Sequence, residues 1–267
     1  MGFFINLVGL FSSRYAAHLA VTLFSTPFKG KIKPTEAEYL KEASQENVLC
    51  NNLSIKTYHW KGKKETILLA HGWESNTYRW KDLIKYLKKL DYNIVALDAP
   101  AHGNSSGHNF NAIIYSKCIT KVAQTFNASV IIGHSIGGMA TVFSHYNSPL
   151  KLTRKIILLG APSNFVGIFY RYKTMMGFNK KVNNAMNTYI LKEHNHLPEY
   201  FSMSNFSKNF KIKGLVIHDK KDKIIPYKDG LDFKASYKNA TFITTNGLGH
   251  GLKSDEVYNY ILDFLKA

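Results

Sequence analysis

Ser129-Val130-Ile131-Ile132-Gly133-His134-Ser135-Ile136-Gly137-Gly138 is the stretch whose reading decides the fold. The β-branched run Val130 to Ile132 reads as a buried strand, Gly133 to Gly137 as G-x-S-x-G, and Gly138 to Tyr146 as a helix-capable segment. Strand, pentapeptide and helix in that order describe a nucleophile elbow, in which a sharp turn lifts a serine clear of the sheet. Glycines flank the serine because side chains there would collide in so tight a turn. The helix beginning beside Ser135 also directs free N–H groups at any oxyanion that forms there.

Working outward, the loops after two later strands carry the partners a serine hydroxyl needs. Gly214 to His218 reads as a short buried strand, and the loop after it, Asp219-Lys220-Lys221-Asp222-Lys223-Ile224-Ile225-Pro226, holds two carboxylates. Thr241 to Thr244 reads as the last strand, followed by Asn246-Gly247-Leu248-Gly249-His250-Gly251 with a single histidine. Each loop falls at the C-terminal end of its strand, where an open α/β sheet places its ligands. Only one of these two carboxylates can buttress His250, and the loop by itself does not say which.

The chain resembles the α/β-hydrolase superfamily, in its lysophospholipase-like and serine-aminopeptidase-like esterase branch. The resemblance rests on Ala70-His71-Gly72-Trp73, Leu97-Asp98-Ala99-Pro100-Ala101-His102-Gly103-Asn104-Ser105, the elbow, His218-Asp219-Lys220-Lys221-Asp222 and Gly249-His250. It implies a mostly parallel central sheet with helices on both faces. It also implies a triad of Ser135, Asp222 and His250, with oxyanion N–H groups from Trp73 and Ile136. Asp219 stands where the family more often has glycine. Some relatives carry the acid after the strand that follows the elbow helix, but here that strand leads into Gly160-Ala161-Pro162-Ser163-Asn164, which has no carboxylate. His71, His102 and His134 are expected to satisfy local hydrogen bonds. The reaction implied is acyl transfer from a carboxylic ester with an apolar acyl group, through an acyl-enzyme and without a cofactor. A thioesterase, an aminopeptidase or a carbon–carbon bond hydrolase would use the same triad, and a non-catalytic binding protein would keep the same fold.

Composition agrees with one catalytic domain carrying an insertion. With 45% hydrophobic and 20% charged residues in 267, the chain is not disordered. The eleven histidines are scattered and Cys50 and Cys118 lie far apart, so neither a metal site nor a disulfide framework is expected. The core is expected over residues 45–160 and 214–267, with opening strands at Asn47 to Cys50 and Ser54 to His59, further strands at Thr66 to Leu69 and Asn93 to Leu97, and helices at Trp80 to Leu90, Asn111 to Phe126 and Asp255 to Leu265. Residues 161–213 are too long for a simple connection and are rich in Phe, Tyr and Met; the resemblance implies that they form the helical cap, inserted after the strand that follows the elbow helix.

Residues 1–30 form a second unusual segment. Gly2 to Phe11 is apolar, and Arg14, Tyr15 and His18 interrupt its continuation to Phe24. It is too broken for a membrane span, and no positive residue precedes Phe11 as a secretory signal would require. Packing against the protein and lying in an anionic membrane interface both remain open. The net charge of +17 comes from lysines spread over most helices rather than one arginine-rich stripe, which speaks against nucleic acid. A cytoplasmic or peripheral-membrane protein acting on a small ester or lipid-like substrate is expected, and the sequence leaves the oligomeric state open.

Overall fold

A computed structural model describes residues 1–267. The chain forms two compact units, one of residues 27–163 with 203–267 and one of residues 1–26 with 164–202.

The larger unit is built on one eight-stranded sheet. Its strands are β1 (Ser44–Cys50), β2 (Leu53–Trp60), β3 (Thr66–Ala70), β4 (Asn93–Leu97), β5 (Val130–His134), β6 (Lys155–Leu159), β7 (Lys213–Asp219) and β8 (Ala240–Thr245). They lie in the order β1-β2-β4-β3-β5-β6-β7-β8. The β1–β2 hairpin and the β2–β4 pairing are antiparallel, and every pairing from β4 to β8 is parallel. Strands β3 to β6 are short and apolar because both their faces are covered.

Alternation assigns the side chains. Ile67, Leu69, Ile94, Ala96, Val130 and Ile132 join one core, while Leu68, Ala70, Val95, Leu97 and Ile131 join the other. The first core takes Leu83, Ile84 and Leu87 from α4 (Lys81–Lys89) and Val257, Ile261 and Leu265 from α11 (Asp255–Lys266), with Leu40 from α3 (Pro34–Leu40). The second takes Tyr115, Ile119 and Val122 from α5 (Ala112–Thr125) and Ala140 from α6 (Ile136–Asn147). Each fully buried Ile, Leu or Val contributes about 1.5–3 kcal/mol relative to exposure, so these stripes hold the sheet rigid beneath its loops. Helices α9 (Met203–Ser207) and α10 (Tyr227–Ser236) complete the unit; Phe206 of α9 stacks on Tyr146 at 4.0 Å and meets Phe143 at 5.6 Å.

The smaller unit contains α1 (Gly2–Phe11), α2 (Ser13–Ser25), α7 (Phe165–Met176) and α8 (Lys180–His194). The long connection of residues 161–213 is thus divided: residues 164–202 fold with the N-terminal helices, and residues 161–163 and 203–213 with the sheet. Phe24 of α2 lies among Phe165, Phe169 and Tyr172 of α7, with centroids 4.7 to 6.1 Å apart, and Tyr172 donates to the Ala20 carbonyl at 2.8 Å. Asn164 and Asn179 cap α7 and α8 by accepting from Gly167 N and Val182 N. No helix is long and apolar enough to cross a membrane.

Candidate active site

Ser135 sits between β5 and α6 with φ 54° and ψ −125°, a left-handed conformation that a non-glycine residue adopts only under constraint. The constraint is packing. Its N–H donates to Leu159 O of β6 at 2.9 Å, and its carbonyl accepts from Gly138 N at 2.9 Å and Met139 N at 3.1 Å. A Cβ at position 133 would lie 2.6 Å from Gly138 N, and one at 137 would strike the Ala70 and His71 carbonyls, so both glycines permit a close approach. The Ile136 N–H, the first of helix α6, has no protein acceptor, as the first N–H groups of a helix lack an intrahelical partner.

Gly72 brings the loop after β3 against the elbow: a Cβ there would lie 2.9 Å from Ser135 Cβ. The next residue, Trp73, also has a backbone N–H that donates to no protein atom, and its half-exposed indole rests against His102 and Phe110. Two histidines hold this loop. His71 Nδ1–H donates to Gly72 O at 2.8 Å while Nε2 accepts from Ala99 N at 2.9 Å. His102 Nδ1–H donates to Pro100 O at 2.9 Å while Nε2 accepts from Glu74 N at 3.0 Å. Both are therefore neutral cross-links between the loops after β3 and β4, and burial pushes both below the usual imidazole range.

Asp222 and His250, from the loops after β7 and β8, are brought together: Nδ1–H of His250 donates to Asp222 Oδ2 at 2.7 Å. The other oxygen, Oδ1, accepts from Ile224 N at 2.8 Å and Ile225 N at 2.9 Å. Burial pushes this carboxyl up, but hydrogen bonds from His218, His250 and Ile225 N outweigh it and hold Asp222 well below the usual carboxylate range. Asp222 is therefore an anion, and its bond leaves the Nε2 of His250 free to accept a proton. The second carboxylate of the loop, Asp219, does not meet His250. It is fully buried, with Oδ1 accepting from Lys221 N and Gly247 N and Oδ2 from Thr245 Oγ1 and Leu248 N.

Three contributors were not read from the sequence. His218, at the end of β7, is fully buried, donates Nε2–H to Ile225 O at 3.0 Å and lies 3.5 Å from Asp222 Oδ2. Gly160, after β6, has φ 55°, and a Cβ there would stand 3.4 Å from both Asp222 Oδ2 and His250 Nδ1. Arg79 donates from Nη2 to Gly251 O at 3.0 Å, one residue past His250. The third histidine flagged earlier, His134, donates Nε2–H to the His250 carbonyl at 2.8 Å, tying the elbow to the histidine loop. Burial, with help from the Arg79 cation, keeps its imidazole neutral.

Residues 65–168 match the family described as the alpha/beta hydrolase fold, a span that includes Ser135 but ends before Asp222 and His250. Over 99 residues the chain is 31% identical to a (R)-3-hydroxydecanoyl-ACP:CoA transacylase of Pseudomonas aeruginosa, covering 35% of this chain and 33% of that protein. Over 147 residues it is 26% identical to a putative esterase/lipase 2 of Mycoplasma genitalium, covering 53% of each. The chain thus spans between a third and about half the length of these two relatives. An esterase structure from Exiguobacterium antarcticum superposes with a TM-score of 0.65 at 14% identity, over 84% of this chain and 100% of that one. Sheet order, elbow and the family match over residues 65–168 give the chain the α/β-hydrolase fold, which is the fold expected from the sequence.

Proposed function

We propose that the chain is a serine hydrolase that cleaves carboxylic esters with apolar acyl groups through Ser135, His250 and Asp222. The observation that carries this reading is the 2.7 Å bond between His250 Nδ1 and Asp222 Oδ2, made on the same sheet end as a serine held at φ 54°. Ser135 Oγ attacks the acyl carbon as its proton passes to His250 Nε2, and the carbonyl π electrons move to oxygen. The oxyanion takes hydrogen bonds from the N–H groups of Trp73 and Ile136. Collapse breaks the bond to the alcohol oxygen, which leaves with the proton from His250; a water molecule then repeats the sequence on the acyl-serine and releases the acid. Throughout, the Asp222 anion stabilises the imidazolium and fixes its tautomer.

The names of the relatives support an acyl substrate: one is an esterase/lipase, and another is a pimeloyl-[acyl-carrier protein] methyl ester esterase of Vibrio parahaemolyticus. The transacylase relative favours a thioester as the second reading, with the same acyl-serine formed from a thiol leaving group. Peripheral contact with an anionic membrane belongs to the same proposal, in keeping with an apolar ester as substrate. A fluorophosphonate probe should label the wild-type chain at Ser135 and leave Ser135→Ala unlabelled. Matched p-nitrophenyl esters and acyl thioesters then separate the two substrates, and labelling that survives Ser135→Ala would refute the site.

A further inference from the structure

Helix α1 is built inside out. Its inward positions are Gly2, Ile5 and Gly9, and its bulky side chains face solvent: Phe3 is 76% exposed, Phe11 is 93% exposed, and Phe4, Leu7 and Leu10 are exposed with them. The glycines let the helix lie flat on its neighbours. A side chain on Gly2 would collide with the Met176 carbonyl, and one on Gly9 would lie 2.9 Å from the Val182 side chain. Polar ties fix the same face: Asn6 Nδ2 donates to Gly177 O at 2.9 Å, Asn179 N donates to Asn6 Oδ1 at 2.9 Å, and Lys181 Nζ donates to Leu10 O at 3.2 Å. The apolar stripe is therefore a held surface rather than a frayed end. On α7 of the same unit, Met175 is also 75% exposed. Helix α2 makes the contrast plain, since it turns Ala16, Ala17 and Ala20 inward and packs a half-buried Phe24 among aromatic rings.

Charge selects what covers this stripe. Arg14, Lys180 and Lys181 are exposed around the C-terminal end of α1, and no Asp or Glu occurs before Glu36. The acids of this unit are Glu193 and Glu199; the nearer stands twelve residues beyond Lys181 on α8, about 18 Å along a helix rising 1.5 Å per residue. A stripe of Phe and Leu bordered by cations matches the boundary between acyl chains and anionic headgroups, where an amphipathic helix lies in the plane of the bilayer. A second copy brings the same cations and no Asp or Glu before Glu36, so a two-fold contact through this stripe would add positive charge without supplying it an acidic partner from α1 or α2.

We propose that the exposed face of α1, with Phe3, Phe4, Leu7, Leu10 and Phe11 inserted and Arg14, Lys180 and Lys181 on the headgroups, docks the protein on an anionic lipid bilayer. This deepens the membrane contact included in the proposed function. It is read on the full chain carrying Ser135→Ala, so the outcome is independent of turnover. The probes are vesicles of phosphatidylcholine alone and of phosphatidylcholine with phosphatidylglycerol. The protein should float with the mixed vesicles at low salt, tenfold or more better than with the neutral ones, on the order expected for three cations near the surface. Binding should weaken as salt rises. Adding Phe3→Ser with Phe11→Ser should reduce it by at least about tenfold without lowering the melting temperature, since both side chains are exposed. In a separate Phe11→Trp variant, tryptophan emission should shift to the blue on adding mixed vesicles. Failure to float with mixed vesicles, equal binding to neutral ones, or insensitivity to the double serine variant would each overturn the proposal. A dimer that the double serine variant turns into a monomer would overturn it in favour of a second copy.

Discussion

Replacing Asp219 with Asn is expected to damage the fold far more than the sequence implies. Asp219 is fully buried and accepts four hydrogen bonds, at 2.8 Å from Lys221 N, 3.2 Å from Gly247 N, 2.8 Å from Thr245 Oγ1 and 3.0 Å from Leu248 N. An amide retains one accepting oxygen and turns an NH2 toward donors that already point inward, so two of the four bonds are lost. At ~1.5–3 kcal/mol for each bond to a charged group, the loss is about 3–6 kcal/mol. That is a large share of the ~5–15 kcal/mol by which native domains exceed their unfolded chains. For a chain of this size each kcal/mol moves Tm by roughly 2–4 °C, so Tm should fall by ~6–24 °C. Burial pushes this carboxyl up, but the bonds from Thr245, Leu248, Lys221 and Gly247 prevail and hold it below the usual carboxylate range. A depressed folded-state pKa gives stability that is fully present above the unfolded value of about 4 and is lost as pH falls through the folded value. The gap between wild type and Asp219→Asn should therefore be widest near neutrality and close as the medium is acidified below about pH 4. Thermal melts at several pH values measure this directly. A variant whose Tm matches wild type at pH 7, or a gap that does not change with acid, would refute the reasoning.

Ser135→Ala should lower ester turnover by about 10⁶ with the melting temperature unchanged, since it removes the attacking oxygen and leaves the elbow packing in place; steady-state kinetics with a melt check this. Asp222→Asn should lower kcat by about 10⁴ through the wrong imidazole tautomer, whereas Asp219→Asn, assayed where it is folded, should retain much more of the activity. Gly160→Ala should cost roughly 1–2 kcal/mol in a denaturant melt for the left-handed backbone alone.

The sheet and the elbow were legible because their causes are local. Strands β3, β4 and β5 are apolar on both faces, and the expected spans at Thr66 to Leu69 and Asn93 to Leu97 fall within a residue of those observed. Strand β1 begins three residues earlier than expected, since Ser44, Gln45 and Glu46 are exposed at the sheet edge and give no apolar signal. Helix α9 reads as part of the long insertion, yet Phe206 stacks on Tyr146 of α6, a contact between residues far apart in the chain that no local pattern reveals. Helix α1 reads as apolar throughout, and only the packing reveals that its covered face is Gly2, Ile5 and Gly9 while Phe3, Phe4, Leu7, Leu10 and Phe11 stay exposed.

The same distinction governs the candidate site. Asp222 and His250 could be found by chain order and loop composition, but what orients them is spread over the sheet. The loop bearing His250 is tied at its entry by Asp219 from the end of β7, at the His250 carbonyl by His134 from β5, and one residue later by Arg79 from the segment after β3. Asp222 is held in turn by its own loop amides and by His218. An imidazole on a glycine-rich loop has little apolar packing to fix its ring, so its orientation depends on these polar ties, each anchored to a strand that the cores keep still. His134 directly precedes Ser135 in the chain and His218 directly precedes Asp219, so the elbow carries one tie to the His250 loop while the end of β7 carries both another tie to that loop and the support of Asp222.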